Sequence, residues 1–332
     1  MIFQALGGIN EHGRNCFLIK GNEHQILLDC GLGEVDDYPD FSAVDVSRID
    51  ALFVSHSHLD HTGSIKFLIE LGFKGKIYLS KPTYSCLNFR DFNYEILEPN
   101  QEYCLYPWLK VRTYRSGHCF GSLSYLFDIE DKVVLYTGDY LEDSIFTCDC
   151  LRNVSTDLAI VDAAYLDNEK SMEENKQSLL SIIEREKRCL LPLPRNGRSM
   201  DVISLLNDND LSYEIVSKSF FMENETEYLR KEVVVKSIKG SDIILFDDPQ
   251  LTKKESVNLI NKYQDYSLIF TGTIDSGSMA MRMMKERKKT FFQRINVHQR
   301  QKDAKRLVGL NRFKEVVYFH NRFTNERKHL EF

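Results

Sequence analysis

Val54-Ser-His56-Ser-His58-Leu-Asp60-His61-Thr-Gly63 places three histidines and one aspartate within six residues, directly after the apolar run Ala51–Val54. The whole chain has nine histidines in 332 residues, so a third of them fall in this one turn. A packed core gains nothing from three polar rings with lone pairs to satisfy. Metal ligation uses those lone pairs, because neutral imidazole nitrogens and carboxylate oxygens are what zinc binds. In an extended stretch, residues two apart face the same way, so His56 and His58 can share one cation. The chain then turns, which lets Asp60 and His61 face a second.

Working outward, further ligands are expected at other strand ends. His118 lies in Arg115-Ser-Gly-His118-Cys-Phe-Gly121, where the glycines let the backbone approach closely. Asp139 lies in Tyr136-Thr-Gly-Asp139-Tyr, straight after an apolar strand. Asp29 closes Ile26-Leu-Leu-Asp29-Cys-Gly31 and can orient a ligand histidine from behind. His118 and Asp139, each taken alone, read at least as well as turn residues. Cys119 reads as a small core filler, His12, His24 and His329 as exposed residues, and Met279–Met284 as a packed helix face. No phosphate-loop or dinucleotide glycine pattern occurs, and no serine-nucleophile elbow.

Length and composition set the frame. A 38.7 kDa chain with 42% hydrophobic and 28% charged residues is an ordinary globular enzyme in composition, long enough for one large or two smaller domains. Met1–Gly8 lacks a basic region, and no later run approaches eighteen apolar residues, so neither secretion nor a membrane span is expected. Eight cysteines without paired spacings fit reduced thiols in a cytoplasm. The net charge of −6 is uneven: Arg282 to Phe332 holds fifteen Lys/Arg against five Asp/Glu, or +10, leaving −16 for the rest. That basic end is either a solvated face or a footprint for a phosphate backbone.

The first part of the chain is β-rich, with runs at Ile2–Leu6, Asn15–Ile19, Gln25–Leu28, Ala51–Val54, Lys76–Leu79, Leu109–Tyr114, Leu123–Phe127 and Val133–Tyr136, and a helix at Gly63–Leu71. From about Asp167 helices and strands alternate, the grammar of a smaller parallel α/β domain, with one of the helices expected around Glu225–Glu232. Near Phe291 the chain is expected to return to the first domain with a strand, a helix at Gln301–Leu310 and a last strand at Glu315–Phe319.

The order Asp29, His56-x-His58-x-Asp60-His61, His118, Asp139 resembles the sequential motifs of the metallo-β-lactamase superfamily, and more narrowly its β-CASP branch of nucleic-acid-processing enzymes. Leu158-Ala-Ile-Val-Asp162-Ala-Ala-Tyr165 is similar to that branch's extra acidic motif at a strand end. Leu191-Pro-Leu-Pro-Arg-Asn-Gly197-Arg198-Ser-Met is similar to the strand, Gly-Arg turn and helix of its inserted domain. His298 and His320 match its two late histidine motifs in position, although His298 sits in Asn-Val-His-Gln-Arg rather than Ser-x-His-x-Asp, and Asn321 follows His320 where the branch has Gly-Glu. The resemblance implies an α/β fold: an αββα sandwich over residues 1–166 and 290–332, with an inserted smaller α/β cap over 167–289 that is short for this branch.

It also implies a ligand allocation. His56, His58, His118 and Asp139 would hold one Zn2+, and Asp60, His61, Asp139 and His320 the other, with Asp139 bridging and Mn2+ as an alternative occupant. Such a pair can share and ionise a water that then attacks a phosphodiester. Asp60 counts among the catalytic residues with Asp162 and His298, the last being the expected general acid, since a neighbouring carboxylate favours the protonated imidazole. Ser276-Gly-Ser278 opens a helix whose free N–H groups can receive a phosphate, and Arg198 follows a glycine turn, but both also read as plain caps. His320 resembles the histidine of RNA-acting rather than DNA-repair members. The leading expectation is therefore a cytoplasmic two-zinc ribonuclease, endonucleolytic or 5′-exonucleolytic, with RNA as partner, no membrane, and a homodimer left open. The alternatives are a DNA nuclease or a small-molecule hydrolase of esters, lactams or thioesters on the same metals, and a catalytically silent nucleic-acid-binding subunit.

Overall fold

Alternate residues of the early strands belong to two different hydrophobic cores, which explains why these strands read as nearly unbroken apolar runs. In the computed structural model, Phe17 and Ile19, Ile26 and Leu28, and Ala51 and Phe53 face one core, while Cys16, Leu18, Leu27, Leu52 and Val54 face another. The structure describes residues 1–33, 36–165, 170–217, 220, 235–321 and 327–332.

Six strands follow in order, β1 (Ile2–Gly7), β2 (Cys16–Lys20), β3 (Gln25–Leu28), β4 (Ala51–Phe53), β5 (Lys76–Leu79) and β6 (Tyr94–Ile96), and β18 (His329–Glu331) adds to β1 to make a seven-stranded sheet. The second sheet has the order β17-β11-β10-β9-β8-β7, from β7 (Glu102–Tyr106), β8 (Leu109–Arg115), β9 (Leu123–Ile129), β10 (Lys132–Tyr136), β11 (Ser155–Asp162) and β17 (Arg312–Phe319). Their shared core joins Phe3, Phe17 and Phe53 of the first sheet to Val111, Tyr125, Phe127 and Tyr136 of the second. Helix α2 (Ile65–Glu70) covers the outer face of the first sheet through Ile65 and Leu68, and α8 (Gln301–Gly309) covers that of the second through Leu307. The layers are those of an αββα sandwich.

Packing divides the chain into two compact units: Met1–Glu142, Thr147–Glu169 and His298–Phe332 form the sandwich, and Asp143–Phe146 with Lys170–Val297 form the other. The second unit holds a parallel sheet of order β13-β14-β12-β15-β16, built from β12 (Cys189–Pro192), β13 (Glu214–Ile215), β14 (Ile243–Phe246), β15 (Ser267–Phe270) and β16 (Thr290–Phe292). The expected return to the first domain at residue 290 is corrected here. Thr290–Phe292 pairs in parallel with Ser267–Phe270, and α7 (Met279–Glu286) is the crossover between them. A short apolar run announces a strand but not its sheet, and the βαβ connection decides it. The helix expected at 225–232 lies outside the described residues. Among the described residues no helix is long and apolar enough to cross a membrane.

Candidate metal centre

Strands β10, β11 and β17 are parallel neighbours, with Tyr136 opposite Ile160 and Asp162 opposite Phe319, so they end at one edge. That edge carries Asp139, Asp162 and His320. Asp139 is reached across Gly138, whose φ is +53 and where an added Cβ would lie 2.7 Å from the Ser55 Cβ; only glycine fits there. His118 is reached from β8 across Gly117, with φ +80 and a Cβ position 2.1 Å from the Leu141 carbonyl oxygen. His320 itself has φ 66, a left-handed conformation that costs a non-glycine residue about 1–3 kcal/mol. Strand β4 delivers the remaining ligands. His58 is extended at the start of α1 (Leu59–Thr62), so it faces the same way as His56, and the helical turn sends Asp60 and His61 elsewhere.

Among the described residues three overlapping groups of donor atoms result, each within 4.8 Å, the third being Asp139, Asp162, His298 and His320. In the first, His58 Nδ1 is 3.0 Å from both His56 Nε2 and His118 Nε2. Asp139 Oδ2 lies 3.5 Å from His56 and 3.3 Å from His118. In the second, Asp139 Oδ1 is 3.2 Å from His61 Nε2 and 3.3 Å from His320 Nδ1. Asp60 Oδ2 is 3.5 Å from His61 Nε2 and 3.3 Å from His320 Nε2. Bonds of about 2.0–2.1 Å to a tetrahedral cation put its ligands roughly 3.3 Å apart. The observed edges have that length, and Asp139 gives one oxygen to each of the first two groups.

The surrounding residues aim the lone pairs. Asp29 is fully buried; its Oδ2 lies 2.6 Å from His61 Nδ1 and accepts from Ser55 Oγ and the Tyr136 hydroxyl, while Oδ1 accepts from Ser55 N at 2.6 Å. A carboxylate only accepts, so His61 carries its proton on Nδ1 and presents Nε2 to the second group. Ser55 Oγ, having donated to Asp29, accepts from His56 Nδ1 at 3.0 Å and leaves His56 Nε2 free for the first group. Burial pushes His56 well down and His58 down. At His61 and His320 burial works the same way, but Asp139 and Asp60 override it, raising His61 well above its ordinary value and His320 to about 9. Burial would raise Asp139, yet His61, His298 and His320 hold it well below the usual carboxylate range. The pocket is built to hold positive charge, and its nitrogen and carboxylate donors fit a pair of divalent cations.

His298, 7% exposed, sets Nδ1 2.9 Å from Asp162 Oδ2, which also accepts from the Tyr140 N–H, while Oδ1 accepts from Ala164. The carboxylate fixes Nδ1 as the donor, leaving Nε2 for other chemistry. The seven donor residues and Asp29, and with them His298 and Asp162, all lie in the sandwich unit. Arg198, Ser276 and Ser278 belong to the second unit. There Ser278 Oγ accepts from Met281 N, which makes it a helix cap, and its own N–H donates to Asp275. Much of the basic end is locally neutralised: Lys314 pairs with Asp157, Arg327 with Glu315 and Arg300 with Asp303. Lys302, Lys305 and Arg306 stay exposed along α8, which begins three residues after His298. His24, expected to be exposed, is half-buried and stacks on Trp108 at 3.9 Å. Sequence reading missed Ser55, Tyr136 and Asn15, which serve the site through contacts that no local pattern announces.

Residues 9–190, more than half of the chain, match the model of the metallo-beta-lactamase superfamily. The chain belongs to that superfamily. Its curated relatives are those of the β-CASP branch of metallo-beta-lactamases. It is 27% identical over 241 residues to cleavage and polyadenylation specificity factor 73 of Drosophila melanogaster, covering 62% of this chain and 35% of that protein. It is 23% identical over 254 residues to endoribonuclease YSH1 of Gibberella zeae (63% and 30%), and 28% identical over 233 residues to an RNase J-like protein of Methanocaldococcus jannaschii (61% and 53%). The matched part spans between about a third and a half of these metallo-beta-lactamase relatives. Superfamily and donor cluster together imply a divalent metal.

Proposed function

We propose that this chain is a two-zinc phosphodiesterase that cleaves RNA in the cytoplasm, with residues 143–146 and 170–297 as its inserted β-CASP-type cap. The observation that carries the reading is Asp139, one oxygen in each of the first two donor groups, with the His298–Asp162 pair beside it. His56, His58, His118 and Asp139 would hold one cation, and Asp60, His61, Asp139 and His320 the other. When bound, the pair supplies Lewis acidity that acidifies water and offsets charge on a phosphoryl group. The protein's own part is the proton. Asp162 holds the His298 Nδ1–H, so the Nε2 proton is the one available to a departing ribose oxygen. Asp29, Ser55 and Tyr136 keep the histidine tautomers that leave lone pairs inward.

RNA is favoured over other phosphodiesters by the printed names of the relatives, among them an endoribonuclease and an RNase J-like protein. The exposed cations of α8 favour a polyanion over a small ester or lactam. Arg198 at the glycine turn of the cap, and the Ser276–Ser278 helix start, are further candidates for backbone phosphates. The test is purified protein with 5′-labelled RNA and DNA of one sequence, with and without chelator. Chelator-sensitive cleavage of RNA is expected, and hydrolysis of a lactam or thioester alone refutes the reading. His298→Ala is expected to lower turnover by about 10²–10⁴-fold with zinc content unchanged; unchanged turnover removes His298 from the reaction.

A further inference from the structure

Asn15 stands just before β2, its backbone N–H donating to the Asp60 carbonyl at 2.9 Å and its carbonyl accepting from Gly31 N at 3.0 Å. The residue is fully buried. Its carboxamide tip touches the second donor group: Nδ2 is 2.9 Å from His61 Nε2 and 3.4 Å from Asp60 Oδ2. The 3.4 Å separation falls within the 3.2–3.5 Å edges of that group's own members and the 2.9 Å one is slightly shorter, so the tip stands as one more vertex of it. Its Oδ1, in contrast, has no hydrogen-bond partner among the described residues and lies against Gly8, where an added Cβ would be 2.5 Å away.

With Nδ1–H held by Asp29, a neutral His61 turns its Nε2 lone pair toward the group, and the amide N–H faces that nitrogen and the Asp60 carboxylate. A cation claims that lone pair, after which the N–H has no acceptor at His61 and the good donor atom, Oδ1, points away into an unsatisfied position. The nitrogen and oxygen of a carboxamide exchange places by half a turn about its last side-chain bond. Resting on the two-cation reading above, we infer that Asn15 is a ligand of the second cation: its carboxamide turns over on metal binding and presents Oδ1 as an additional oxygen beside Asp60, His61, Asp139 and His320. The absence of a side chain at Gly8 leaves the room for that turn.

The consequence is a difference between the two sites. The first, with three imidazoles and one carboxylate oxygen, is four-coordinate in protein ligands, while the second gains a neutral oxygen and with it a higher coordination number. The experiment uses the full chain, stripped with chelator and reloaded with Zn2+ or Co2+, in wild type, Asn15→Leu and Asn15→Asp. Leucine matches asparagine in shape and removes both polar atoms; aspartate supplies an oxygen whichever way it turns. Competition with a chromogenic chelator gives the two affinities, and the visible Co2+ spectrum reports coordination number, because four-coordinate Co2+ absorbs more strongly than five-coordinate. Asn15→Leu is expected to keep the tighter site and weaken the other by roughly 10–100-fold, with a rise in Co2+ absorption. Asn15→Asp is expected to bind both cations, the second at least as tightly as wild type. Wild-type affinities and an unchanged Co2+ spectrum in Asn15→Leu overturn the inference while leaving the two-cation reading intact. A wild-type chain that takes up fewer than two cations overturns both. Should Asn15→Leu fail to fold, weakened second-site binding in Asn15→Asp overturns it on its own.

Discussion

Replacing Asp29 by asparagine tests the framework of the site without touching a proposed ligand. The carboxylate accepts four hydrogen bonds, from Ser55 N, Ser55 Oγ, Tyr136 and His61, at full burial. Asparagine has one accepting oxygen. Its less costly orientation keeps that oxygen at the Oδ2 position, where three of the donors converge, and sets an NH2 against the Ser55 N–H. An orphaned buried donor costs about 1–3 kcal/mol, and each of the three surviving bonds loses about 1 kcal/mol as its acceptor loses charge. The metal-free chain should therefore lose roughly 4–6 kcal/mol, a large share of the typical 5–15 kcal/mol for a folded domain. His61 also loses the anion behind its imidazole, which should weaken the second cation by roughly 10–100-fold. Urea unfolding of the chelator-treated chain reads the first effect, and chelator competition reads the second. A change below about 1 kcal/mol together with wild-type affinity at the second site would refute the argument that Asp29 organises His61 and Ser55.

Stability of the metal-free chain should depend on pH through His320. With its imidazole raised to about 9, the native state holds the proton more tightly than the unfolded chain does, so the stabilisation is complete below about 6.5 and is lost as pH rises through about 9. His61, also raised, acts in the same direction. The melting temperature in chelator should fall across that interval, while the gain on adding Zn2+ grows as protons cease to compete; a flat profile in chelator would contradict the assignment. Replacing Lys302, Lys305 and Arg306 together by alanine should lower RNA affinity and reduce the salt slope by about 2, near 0.7 per lost phosphate contact on a single strand. An unaltered slope in fluorescence anisotropy would show that α8 is a solvated face.

What the amino-acid sequence alone determined is the chemistry that short range controls. His56, His58, Asp60 and His61 are close in the chain, and an extended segment followed by one helical turn is enough to split them between two donor groups. Strand ends carrying Asp29, His118 and Asp139 were legible for a similar reason, since a polar residue closing an apolar run stands out against it. Tertiary structure alone decided the rest. Asp162 and His298 are 136 positions apart, and Asp139 and His320 are 181 apart; the parallel pairing of β10, β11 and β17 brings Asp139, Asp162 and His320 to one edge, and the Gln299 bonds to Tyr140 and Asp162 hold His298 against it. Thr290–Phe292 reads as a strand in any setting, and pairing with β15 assigned it to the smaller sheet. Asn15 read only as the first residue of the strand run Asn15–Ile19. Its burial, and the place of its amide beside His61 and Asp60, follow from backbone bonds to Asp60 and Gly31 that exist only once the chain has closed on itself.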